Sequence, residues 1–146
     1  MSHKSHKIDT LVAPFKGQDM EAHYLAYFEC FNRQLYFEAH EVLECIWLPQ
    51  RQGPEGAFYK GLIQLAGAFV HLQKNRLGPG ASLLKLAQTN LARYPATHRR
   101  LDTARLLQRI AEWLRQLDGS SAVTNPLAPA TGPKLQLQKP AADSAP

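Results

Sequence analysis

The chain has 146 residues, 45% of them hydrophobic and 20% charged, which is room for one domain with a sizeable core and too little for two. No apolar run approaches the roughly 20 residues that a membrane-spanning helix needs, and the opening MSHKSHKIDT lacks the apolar centre of a secretory signal. A membrane partner is therefore not expected, and the expected address is the cytoplasm. The net charge of +5 is unevenly spread, with seven acids against three bases over residues 17–71 and nine bases against two acids over residues 72–115. A basic second half attracts acidic partners, but no motif that reads RNA or DNA accompanies it, so nucleic acid is not expected.

Residues 1–16 carry His3, Lys4, His6, Lys7 and Lys16 with Pro14 and no sustained periodicity, the pattern of a flexible, solvated arm. Asp19 is placed to cap a first helix reaching about Phe31, with Tyr24, Leu25, Phe28 and Phe31 inward. After a short break at 32–34, a helix over 35–47, LYFEAHEVLECIW, follows at once and favours an antiparallel hairpin. Residues 48–56 form a loop with two prolines and two glycines, and a long helix over about 57–75 succeeds it. Gly61 and Gly67 each cost about 1 kcal/mol in a helix interior relative to alanine, which makes sense where another backbone comes close.

Gly78-Pro79-Gly80 opens a fourth helix with Leu83, Leu84, Ala87, Leu91 and Tyr94 on its apolar face, and Pro95 stops it. Beyond a linker with His98, Arg99 and Arg100, a fifth helix turns Leu106, Leu107, Ile110, Trp113, Leu114 and Leu117 inward, leaving Arg105 and Arg109 outside. The remainder is rich in Ala, Pro, Ser and Thr without an aromatic residue, which reads as a disordered tail in which Leu135 and Leu137 offer at most a short docking segment. The expected fold is all-α: a single bundle of about five helices over 17–118, a flexible arm over 1–16 and a disordered tail over 119–146. Cys30 and Cys45 stand apart on predicted helices and are expected as reduced, buried thiols.

The 35–47 helix carries the chemistry. Advancing about 100° per residue from His40 places Tyr36, Phe37, Leu43, Glu44 and Trp47 on the same side, so an imidazole and a carboxylate sit inside an apolar stripe. Val42 and Ile46 face the other way, which makes this a central helix. On the 57–75 helix, Lys60, Gln64 and His71 form a polar strip between oily ones. The two helices together predict a polar pocket lined by His40, Glu44, Lys60, Gln64 and His71, with Tyr36 and Trp47 as walls and Glu41 at the edge.

At FNRQLYFEAHEVLECIW over 31–47 and FYKGLIQLAGAFVHLQKN over 58–75, with a weaker echo over 78–95, the sequence resembles the family catalogued as domain of unknown function 309. The resemblance covers about half the chain. It implies a small all-helical bundle, and the label of predicted metal-dependent hydrolase that the family carries, without a substrate.

Two readings of the pocket stand side by side. In the first, His40, Glu44 and His71 bind a divalent metal such as zinc, manganese or iron, which activates water, with Glu41 as the catalytic base. His40 and Glu44 share the spacing of the H-E-x-x-H ligands, with Glu44 in place of the second histidine, but Glu41 lies about 100° round from His40. The Glu-x-x-His pair of di-iron bundles is absent, since Phe37 and Ala68 stand three before His40 and His71. In the second, the same atoms form a satisfied polar layer in a non-catalytic small-ligand or protein-interaction module. A small molecule, bound by Tyr36, Trp47, Lys60 and Gln64, and a further copy of the chain are the partners to consider.

Overall fold

Tyr24, Tyr27, Phe31, Tyr36, Phe58 and Phe69 are all buried, and their rings meet in edge-on, tilted and stacked pairs in the core. In this computed structural model, which describes residues 3–118 and 124–139, that core is enclosed by helices α1 (His3–Val12), α2 (Ala22–Asn32), α3 (Tyr36–Trp47), α4 (Gly56–Gln73), α5 (Leu77–Leu91) and α6 (Thr103–Asp118). Each such ring removes enough apolar area from water to stabilise the fold by roughly 1.5–3 kcal/mol. The one polar atom that must enter with Tyr27 is satisfied, since its hydroxyl donates to the Leu62 carbonyl at 2.6 Å. Burial accordingly pushes the Tyr24 and Tyr27 hydroxyls up from their ordinary pKa.

The α3–α4 pair is antiparallel. Tyr36, at the start of α3, stacks on Phe69 near the end of α4 at 5.2 Å between ring centres. At the other end of the pair, the Lys60 ammonium lies 5.2 Å over the Trp47 ring. Helix α5 returns along α4, and the close approach at the two expected glycines is by side chains and not by backbone: a Cβ on Gly61 would lie 2.8 Å from Leu91 Cγ and one on Gly67 3.3 Å from Leu83 Cδ1, while one on Gly80 would lie 2.7 Å from Leu72 Cδ2. The neighbour at Gly61 is a side chain, and at Gly80 both the Leu72 side chain and the Ala68 carbonyl come near.

The expectation of a mostly helical chain holds, and the structure corrects it in several places. Six helices are formed among the described residues, because the presumed arm contains α1. Ile8 and Val12 are buried there with Ala26 and Val42, so the second apolar side of the central helix is covered by the arm. Lys7 adds an ion pair to Glu38 at 2.8 Å. The cap of α2 is Glu21, which accepts from the His23 amide, while Asp19 pairs with Arg100 at 2.7 Å. Cys30 is buried, and burial raises its thiol pKa to about 11, but Cys45 is exposed. A two-residue hairpin, β1 (Thr97–His98) and β2 (Leu101–Asp102), occupies the linker, with Arg99 and Arg100 at positive φ in its turn. Residues 124–139 run in extended and turn conformation against the helices, with Pro133 and Leu135 buried. The rest of the expected disordered tail, residues 119–123 and 140–146, lies outside the described residues.

Candidate functional site

Helix α3 brings His40 and Glu44 together as the four-residue spacing requires, with His40 Nε2 3.5 Å from Glu44 Oε2. Their side chains are 29% and 28% exposed, so the pair sits at the rim of the helix packing, neither sealed in the core nor turned out to bulk water. His40 Nδ1 is buried and meets no hydrogen-bond partner among the described residues. Glu41, one residue on, is buried at 8% exposure on the adjoining side of the helix. Tyr36 opens the helix deep in the core, where burial lifts its hydroxyl to about 12.

His71, on α4, has a buried Nδ1 that, like that of His40, meets no hydrogen-bond partner among the described residues. The stack of Tyr36 on Phe69 and the contact of Lys60 with Trp47 fix the register of α3 on α4. Near the end of α4, Gln73 Nε2 donates to the Gln34 carbonyl, just before α3 begins, at 3.0 Å. The α3 wheel put Phe37 beside His40 in the apolar stripe, but Phe37 is 51% exposed, and a wheel says nothing about where one helix stands along the other. Among the described residues no three His, Cys, Asp or Glu side chains come together as a metal centre. The expected three-ligand site of His40, Glu44 and His71 is therefore reduced to a two-residue pair, a donor set one short of the usual catalytic minimum.

Gln64 also turns elsewhere, accepting from Asn90 Nδ2 of α5 at 2.8 Å. The predicted strip is thus divided among neighbours, and the concave surface that does form lies at its Trp47–Lys60 end. There a groove of about 530 Å³ is lined by Trp47, Arg51, Lys60, Asn90, Arg93 and Tyr94 together with the 52–54 turn and the first residues of α4, Gly56 and Ala57. Its floor is pinned by Tyr94, whose hydroxyl donates to the Pro54 carbonyl at 2.8 Å and accepts from the Phe58 amide at 2.9 Å. Three cationic side chains reach it from three elements, and no acidic residue lines it. Glu55, the nearest acid in sequence, is held by His98 at 2.7 Å. The groove does not extend to His40, Glu44 or His71.

Residues 24–83 match the family model described as Domain of unknown function (DUF309). The match spans less than half of the chain and marks these residues as similar to that family. No curated protein and no solved structure matches the chain. The matched stretch takes in most of α2, all of α3 and α4 and the first half of α5, so His40, Glu44, Trp47, Arg51 and Lys60 lie within it. Asn90, Arg93 and Tyr94, which complete the groove, lie beyond the matched residues. Sequence reasoning missed Arg51, Asn90, Arg93 and Tyr94, since a loop arginine and the end of an amphipathic helix carry no spacing that marks them. The only signal was the excess of bases after residue 72. No helix among the described residues is long and apolar enough to cross a membrane.

Proposed function

We propose that this chain is a small-molecule-binding module whose ligand is an anion with a planar portion, held in the groove at the Trp47–Lys60 end of the α3–α4 pair. The observation that carries this reading is the lining: Arg51, Lys60 and Arg93 around one concavity with no acid among them. Three like charges brought together raise one another's energy, and an anion placed between them relieves that repulsion. Arginine forks match phosphate and carboxylate oxygens two at a time. Trp47 supplies a flat face for the rest of the ligand, and the Asn90 amide and Tyr94 ring border the same space. Titration with pyrophosphate and with an aryl phosphate, read by Trp47 fluorescence in a Trp113→Phe chain, tests the reading. The Arg51→Ala/Arg93→Ala chain is expected to bind at least about tenfold more weakly. Unchanged Trp47 emission across the titration at low salt would sink it.

A second reading is favoured by one observation, the His40–Glu44 contact with its buried, unpartnered His40 Nδ1. Here the pair holds a divalent metal with solvent filling the other positions, and Glu41 serves as base for metal-assisted hydrolysis. Metal analysis of protein purified without a nickel column, repeated on His40→Ala, tests it: stoichiometric metal lost in the variant supports the reading, and metal-free native protein overturns it.

A further inference from the structure

A groove of a different kind lies between α2, α4, α5 and α6, and the chain fills it with its own tail. Leu135 is 5% exposed and enters a socket made by Phe31, Leu65, Leu84, Leu106, Ile110 and Trp113. Pro133 is buried beside it, and the space left over is about 10 Å³, room for one water at most. The backbone on either side is held by side chains. Asn32 donates through Nδ2 to the Leu135 carbonyl at 2.6 Å and accepts through Oδ1 from the Leu135 amide at 2.7 Å. Three residues on, the Gln138 amide donates to the Arg100 carbonyl at 2.6 Å, and Arg100 Nε donates to the Gln138 carbonyl at 2.7 Å. Arg109 Nη1 donates to the Lys134 carbonyl at 2.6 Å, and Gln34 Nε2 to the Pro129 carbonyl at 2.8 Å. A Cβ at residue 132 would run into the Gln34 amide and stand 3.0 Å from the Tyr36 hydroxyl, so the chain passes closest where it has glycine.

This is the division of labour of extended-peptide recognition. Main-chain groups are met by fixed donors and acceptors whatever the sequence, and one pocket reads one side chain. We propose that the groove is a peptide-binding site for an extended segment carrying glycine, proline and, two residues after the proline, leucine. Residues 132–138 occupy it as the chain's own ligand, and a partner protein presenting the same pattern enters by displacing them. The Ala- and Pro-rich composition around residues 132–138 cannot build a core of its own, so the helices are what order this segment. A segment tethered this closely acts at an effective concentration of about millimolar. A free peptide of equal intrinsic affinity therefore binds the intact chain only when added at that level.

Fluorescence anisotropy of a labelled peptide 130–139 against the full chain and its Leu135→Asp variant tests the proposal. Tighter binding to Leu135→Asp than to wild type, by about tenfold or more, is expected, because the variant tail no longer competes. Adding Asn32→Ala to that variant is expected to return the affinity to the wild-type level or below, and a peptide that itself carries Leu135→Asp should not bind. Equal binding to both chains, or binding to neither, overturns the proposal. Should Leu135→Asp fail to fold, the wild-type chain gives the second readout. Trypsin cleavage after Lys134 is expected to be slow and to accelerate when unlabelled peptide is added in excess, and a rate indifferent to peptide overturns the proposal equally.

Discussion

The two grooves share α4 and α5 yet meet opposite fates. The apolar one is filled by Pro133 and Leu135 from the far end of the chain, and the basic one, walled by Trp47, Arg51, Lys60 and Arg93, stands open at about 530 Å³. The physical difference lies in what water does for each wall. Phe31, Leu65, Leu106 and Trp113 gain nothing from water, so any apolar segment within reach is drawn onto them. Ammonium and guanidinium groups are well solvated and need no cover from the protein. An open groove here is a chemical statement about its ligand, while a closed one is a statement about competition for it.

The largest expected effect falls on Phe69, which contacts Tyr36, Phe31 and Trp113 and also borders the apolar groove. Phe69→Ala is expected to cost about 3–5 kcal/mol in urea denaturation. If the two grooves are separable, pyrophosphate binding at the basic end should survive at temperatures below the new midpoint. Next comes Leu135→Ala, expected to cost roughly 1–3 kcal/mol, less than a core leucine because the tail can shift to fill part of the space. Trp113 emission should move toward that of a solvated indole while Trp47 emission stays in place, and a change at both would break the separation of the grooves.

Lys60→Ala inverts the pattern. Thermal stability should stay within about 0.5 kcal/mol of wild type, since the residue is exposed, while anion binding falls several-fold. The smallest effect is expected at the arm. Burial pushes the Glu38 carboxyl up, but the hydrogen bond and charge of Lys7, together with a backbone amide, outweigh it and hold the carboxyl below its ordinary 4.5. A depressed folded value means that the pair stabilises above the unfolded pKa and that this contribution is lost as the pH falls through the folded value. Glu38→Gln should therefore lower the melting temperature slightly at pH 7, with the difference from wild type closing below pH 4.5. A difference that persists unchanged at pH 3 would show that the side chain acts by packing and not by charge.

Periodicity made α3 legible as a two-sided central helix, and both sides are covered, one by α4 and the other by Ile8 and Val12 of α1. The inward face of α4, with Phe58, Leu62, Leu65, Phe69 and Leu72 all buried, was equally plain. The arm was misread because Ile8, Leu11 and Val12 are too few apolar residues to stand out among His and Lys. The tail was misread because its composition reports correctly that it cannot fold alone and says nothing about a groove made elsewhere. At the predicted site, spacing alone brought His40 to Glu44, whereas a third ligand from α4 depends on the axial register of two helices, which spacing does not carry.

The order of residues by itself determined helices α2 to α6, their buried stripes, the His40–Glu44 pair and the likeness of residues 24–83 to a known family model. Only the tertiary structure decided that Gln73 reaches the Gln34 carbonyl before α3, that Arg51, Lys60 and Arg93 share one groove, and that Leu135 returns to the core. The reason is range. A helix is written in contacts three and four residues apart, whereas these juxtapositions join positions tens of residues apart and follow from how rings such as Tyr36 and Phe69 interlock.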